Sequence, residues 1–180
     1  MIVLDNNSLI AAFQLHPPAS SAVHRERVRH FINDRGGRFA VPAIVLSEYL
    51  FKFEGMDRQR EFAELLKRHV FVPSFDRVTA EIASDLGRRF AAGQSFASVA
   101  RQNGSDRYCL KSDLMIIATA VQHQSTAFVT GDCAAHRIAI FAGLDSHLLA
   151  NLPGPPSPIP SREQHPSSPR THNLFDELSE

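Results

Sequence analysis

Five short apolar runs limit what this chain can fold into: IVL at 2–4, RFAVP at 38–42, VFV at 70–72, AFVT at 127–130 and HLLA at 147–150. Each is too short for a buried helix and mainly apolar, as a strand covered on both faces must be. Between them lie stretches with helical spacing. Residues 20–34 carry Val23, Val28, Phe31 and Ile32 among charges, and Gly36-Gly37 stops them. Pro42 suits the first turn of an apolar helix running through 53. Further helices are predicted over 57–69, with Phe62, Leu65 and Leu66 on one face, over 74–90, over 111–124 and after Asp132. Residues 94–110 mix Gly, Ser, Asn and Gln with single apolar residues and read as a long loop or a lid. Strands alternating with helices predict an α/β domain of three layers, α/β/α, around a small and mainly parallel sheet.

The character of the chain changes after residue 152. Seven of its eleven prolines fall between Pro153 and Pro169, with serines among them. That composition reads as a linker or tail, closed by a short amphipathic pattern at Leu174, Phe175 and Leu178. The expected organisation is one domain over 1–152 and a Pro/Ser-rich tail over 153–180.

Nineteen Lys and Arg balance nineteen Asp and Glu, which argues against nucleic-acid binding by bulk charge and leaves room for a local basic groove. Cys109 and Cys133 lack metal-type spacing, and the nine histidines are scattered. No basic-then-apolar leader and no run long enough for a bilayer is present, so no membrane and a cytoplasmic setting are expected. No Gly-rich phosphate loop occurs. A phosphoaspartate role for Asp5 would want a second Asp where this chain has Asn7.

Four acids stand in unusual places. Asp5 follows the first strand, Glu48 interrupts an apolar helix, Asp113 opens the helix 111–124, and Asp132 follows AFVT. Each has an ordinary reading. Asp5 suits a helix cap, Glu48 a solvent or arginine contact, Asp113 a helix dipole, and Asp132 a turn. As a set they suggest more, because ligands of open α/β sheets bind beyond the carboxyl ends of the strands. Carboxylates gathered there repel unless a cation neutralises them, and hard oxygen donors suit Mg²⁺ or Mn²⁺. Arg88, Arg89, Arg101, Arg107 and Lys111 are candidates to line a path for RNA phosphates, and would equally serve as helix surface.

The ordered set VLDNNSLI, VLSEYL at 45–50, KSDLMIIATA at 111–120 and FVTGD at 128–132 resembles the PIN-domain ribonucleases, in particular the VapC-type toxins of toxin–antitoxin pairs. The resemblance covers about residues 1–150. It implies that Asp5, Glu48, Asp113 and Asp132 are the catalytic, metal-holding acids, with Asn7 and Thr130 in support. It also implies a Mg²⁺- or Mn²⁺-dependent endoribonuclease acting on tRNA or rRNA, with a cognate antitoxin and a homodimer; the apolar excess on helices 42–53 and 57–69 would serve as a dimer face or equally as core. Arg107 and Lys111 would contact the RNA. The family usually has Thr or Ser where this chain has Asn6, and many members carry a further acid where it reads Cys133-Ala134-Ala135-His136. The alternative is a non-catalytic RNA- or protein-binding module that works through its C-terminal tail.

Overall fold

The computed structural model describes residues 1–13, 19–51, 70–102 and 106–156. The helix expected over 57–69 and the amphipathic segment at 174–178 lie outside these residues. The elements run β1 (Ile2–Leu4), α1 (Asn6–Phe13), α2 (Ala19–Asp34), β2 (Phe39–Ala40), α3 (Ala43–Leu50), α4 (Arg77–Ala91), α5 (Phe96–Gln102), α6 (Arg107–Gln122), β3 (Ala127–Thr130), α7 (Cys133–Phe141) and β4 (Ser146–Leu148), followed by a 3₁₀ turn at Leu149–Asn151.

The strands form one parallel sheet in the order β2-β1-β3-β4. Every residue of β1, β2 and β3 is buried, so helices cover both faces and the layered α/β expectation holds. In β1, Ile2 pairs with Phe39 on one side and Ala127 on the other. The chain leaves β1 toward β2 at one edge and returns through β3 on the opposite side. β1 and β3 thus flank the point where the strand order reverses, which is where such sheets open a crevice. Helix α6 packs against α3, α4 and α7, and α1 packs against α2 and α3. Leu110, Leu114, Ile116, Ile117, Ala118 and Ala120 of α6 are buried, so this helix is core on most of its sides.

Local chemistry accounts for most boundaries. Gly36 and Gly37 hold φ of +89° and +70°, and Gly37 N donates to Ile32 O at 2.9 Å, closing α2 in the manner of a left-handed helix stop. Asp76 caps α4 by accepting from Thr79 N at 2.9 Å.

Four expectations are corrected. The strand at 70–72 shrinks to one parallel bridge between Phe71 and Ala40, because Pro73 follows at once and its ring nitrogen cannot extend the ladder. The weak region 94–110 contains helix α5, begun by Ser95 Oγ accepting from Ser98 N at 3.2 Å, and the first turn of α6. Helix α6 starts at Arg107 instead of 111 because Asp106 caps it, accepting from Tyr108 N at 2.7 Å and Cys109 N at 2.8 Å. The last strand is shifted to 146–148, since the chain tightens into the 3₁₀ turn at Leu149.

Among the described residues no helix is long and apolar enough to cross a membrane. Exposed apolar surface gathers at the end of α3, where Ala43, Leu46, Ser47, Leu50 and Phe51 line a cleft of about 350 Å³ and Phe51 is 84% exposed.

Ile117 lies fully buried in the central helix, whereas Ile140 of α7 is 55% exposed. Ile117→Ala is expected to cost about 2–5 kcal/mol in urea denaturation, and Ile140→Ala to stay within about 0.5 kcal/mol.

Candidate functional site

The register of β1 and β3 builds the site. Leu4 pairs with Val129, so Asp5 and the segment Thr130-Gly131-Asp132 leave the sheet together at the reversal of strand order. Asp5 is only 6% exposed. Its backbone N donates to Val129 O at 3.1 Å, and Leu9 N donates to Asp5 O at 2.9 Å, which makes Asp5 the first residue outside α1. Its Oδ1 accepts from Ser8 N at 2.8 Å, so the helix-cap reading of Asp5 is what the geometry shows. Its Oδ2 accepts from the Thr130 hydroxyl. Burial pushes the carboxyl up from its ordinary range, against the opposing pull of the bonds from Thr130, Ser8 and Gly131. An ionised carboxylate has about four lone-pair sites, so capping leaves Asp5 able to accept more.

Thr130 is fully buried and joins two acids. While its hydroxyl donates to Asp5, the same oxygen accepts from Asp132 N at 2.9 Å. Asp132 caps α7, its Oδ1 accepting from Ala134 N at 2.5 Å and Ala135 N at 3.2 Å. Both bonds fall on Oδ1, which leaves Oδ2 for another partner. Ser8, also fully buried, donates from Oγ to Val129 O at 2.8 Å and fastens α1 to β3.

Asp113 lies in the second turn of α6, because the helix begins at Arg107. Asp106 holds the N-terminal cap, so the helix-dipole reading of Asp113 loses its geometric basis. Its carboxyl is half-buried, and its Oδ2 is sealed from solvent without a hydrogen-bond partner among the described residues. Burial first, then the negative charges of Asp132, Asp5 and Glu48, push it up to about 7. That set of charges places the other three sequence-predicted acids within electrostatic reach of Asp113. Glu48, half-buried on α3, accepts from Asn6 Nδ2 at 3.2 Å. The amide oxygen of Asn6 is likewise sealed and unpartnered.

The remaining candidates sit further out. Asn7 is exposed, and it is the neighbouring Asn6 that bonds into the cluster. Arg107 and Lys111 are exposed on the first two turns of α6, four residues apart on one flank. Two residues along a helix are about 200° apart, so Lys111 and Asp113 leave α6 on nearly opposite sides. Cys109, one turn before Asp113, has its thiol pushed up by burial and by Asp106, Asp113 and Asp132, which suppresses thiolate chemistry.

Sequence reasoning missed Asn6, Ser8 and Gly131. Ser8 and Asn6 carried only a generic signal, as polar residues at a helix start. Gly131 has a steric role. A Cβ there would lie 3.0 Å from Asn7 Cβ and 3.1 Å from Leu149 Cδ1, so the loop between Thr130 and Asp132 closes on α1 only without a side chain.

The donor set suits a hard divalent ion. Among the described residues no group of three or more His, Cys, Asp or Glu side chains is arranged to hold a metal ion. Mg²⁺ needs none, since it retains several waters and takes one or two carboxylates directly. Two sealed oxygens without donors, Asp113 Oδ2 and Asn6 Oδ1, in a cluster of acceptors are what a cation would satisfy.

Two outcomes follow from this geometry. An acid with a raised folded-state pKa destabilises the fold once it ionises, so the penalty from Asp113 is absent below its ordinary value of 3.8 and grows as pH rises through about 7. In ion-free protein Asp113→Asn is therefore expected to raise Tm by a few degrees at pH 8 and by less at pH 5, as thermal melts across pH would show. Gly131→Ala is expected to cost about 1–3 kcal/mol in urea denaturation, because Asn7 Cβ is fixed by the first turn of α1 and cannot swing aside.

The model of the PIN domain family matches residues 2–140. No curated protein matches the chain. Among solved structures, the chain is similar to the crystal structure of VapBC2 from Rickettsia felis bound to a DNA fragment from their promoter. The two are 18% identical with a TM-score of 0.50, over 82% of this chain and 98% of that one. At that identity the likeness speaks for the fold, and it agrees with the family match. With well over half of its length matched, the chain belongs to the PIN-domain family.

Proposed function

We propose that this PIN-domain protein is a Mg²⁺- or Mn²⁺-dependent endoribonuclease that cleaves RNA phosphodiester bonds, and that it is the toxin of a toxin–antitoxin pair. PIN domains are generally nucleases. The observation that carries the reading here is the crowding of Asp5, Glu48 and Asp132 around Asp113, whose carboxyl they help push up to about 7. Such a group of acids costs the fold stability and is relieved by a divalent ion. Asp5, Glu48, Asp113 and Asp132 would hold that ion. When bound, it polarises the scissile phosphodiester and makes water a stronger nucleophile at neutral pH.

The protein's own groups set the geometry. Thr130 holds Asp5 and the backbone of Asp132 in one arrangement, and Asn6 holds Glu48. Ser8 and Gly131 keep α1 tight against β3 and the loop that follows it. Asn7 would support this wall from the rim. Arg107 and Lys111, exposed on the flank of α6 nearly opposite Asp113, are the candidates to meet RNA phosphates, which position a strand without reading its sequence. The family resemblance implies tRNA or rRNA as substrate.

The partner reading rests on the same resemblance and on the fold shared with VapBC2. We infer a cognate antitoxin, a homodimer in which the apolar end of α3 with Phe51 takes part, a cytoplasmic setting, and a nuclease domain over 1–152 followed by the tail 153–180.

Purified protein with structured RNA and Mn²⁺ is expected to give discrete cleavage that EDTA abolishes. Asp5→Asn should lower the rate by about 10–100-fold or more while leaving Tm within a few degrees, because Asn caps a helix as well as Asp. The absence of cleavage on any RNA, with no Mn²⁺ bound in calorimetry, would favour a binding module acting through the tail.

A further inference from the structure

We propose that Asn6 is itself a ligand of the divalent ion, offering its amide oxygen while its amide nitrogen clamps Glu48. The inference rests on the metal-dependent reading above and extends it to a neutral fifth oxygen.

The orientation of the amide is dictated by its partner. Asn6 opens α1 directly after Asp5, and its Nδ2 donates to Glu48 Oε2 at 3.2 Å. An ionised carboxylate only accepts, so the NH₂ end must face Glu48 and the carbonyl end must face the other way. That assignment settles the O/N ambiguity an isolated amide would leave. The carbonyl oxygen then points where solvent does not reach, and among the described residues it has no donor. A buried acceptor left without a donor is costly and calls for an explanation.

The neighbours narrow that explanation. Asp5 precedes Asn6 in the chain, Glu48 is bonded to it, and Asp113, which feels the charges of both Asp5 and Glu48, has a sealed and unpartnered Oδ2 of its own. In their ionised form these carboxylates only accept, so none of them then offers a donor to an orphaned oxygen. A cation held among these carboxylates would be the partner such an oxygen lacks, and amide carbonyl oxygens belong with carboxylates in the donor class that suits Mg²⁺ and Mn²⁺. Being uncharged, Asn6 adds a ligand to the four acids without adding to their mutual repulsion. Its two ends also work together: the bond to Glu48 fixes the side chain, so the amide oxygen is held in place before any ion arrives.

Mn²⁺ titration of the full chain by calorimetry, with the Mn²⁺-induced rise in Tm as a second readout, tests the proposal independently of RNA cleavage. Asn6→Leu keeps the shape and removes both polar ends, whereas Asn6→Asp keeps an oxygen and removes the donor. Asn6→Leu is expected to weaken Mn²⁺ binding by about tenfold or more and to shrink the Tm rise, while Asn6→Asp binds at or above the wild-type level. Unchanged binding in Asn6→Leu would overturn the proposal and leave the metal nuclease standing. Equal loss in Asn6→Leu and Asn6→Asp would reduce Asn6 to a clamp on Glu48 and overturn its role as ligand. Failure of the wild type to bind Mn²⁺ would remove both readings together. If Asn6→Leu loses its folded circular dichroism, Asn6→Ala is held to the same criterion.

Discussion

Thr130 sits buried between the carboxylate of Asp5 and the backbone of Asp132, and the site depends on its single hydroxyl. By donating to Asp5 and accepting from the backbone of Asp132, it ties together the ends of β1 and β3. These two strands meet where the strand order reverses, so the bond locks the mouth of the crevice itself. Ser8 repeats the device one layer in, with its hydroxyl on Val129 O. Removing such hydroxyls would leave polar groups without partners in a region sealed from water, where they are costly.

Two of the four acids have a structural task beside their place in the site. Asp5 caps α1 and Asp132 caps α7, each through Oδ1. The capping bonds fix the rotamer, so the direction of the other oxygen is set by the helix start. Capping and ligation are therefore not rival explanations here. Asp113 differs, because Asp106 occupies the cap of its helix. A half-buried carboxylate inside a helix, raised to about 7 by burial and by three other acids, has no structural return in the ion-free protein. This is the pattern expected where stability is given up for function.

Much of the α/β architecture was legible in the sequence because strands buried on both faces must be mainly apolar, as IVL and the first three residues of AFVT are. The strand at 70–72 failed the same reasoning, since Pro73 ends the ladder after one bridge. The helices between 94 and 110 were missed because their apolar content is thin and their signal lies in single caps, Ser95 and Asp106. The four acids could be picked out as anomalies of local pattern. Asn6, Ser8 and Gly131 could not, because each acts on a partner far along the chain or on a steric contact that composition does not encode.

What the sequence determined by itself is local: which runs are strands, where helices begin on Asp, Ser or Pro and stop on Gly, and which carboxylates stand where a buried pattern should not hold them. Residue chemistry and short-range backbone sterics settle those points. What only the tertiary structure decided is which groups meet. Thr130 and Asp5 are 125 residues apart, and Asn6 and Glu48 are 42 apart. Their contacts exist because the sheet adopts the order β2-β1-β3-β4, and that order is chosen by the packing of all the helices at once, which no single stretch of the chain specifies.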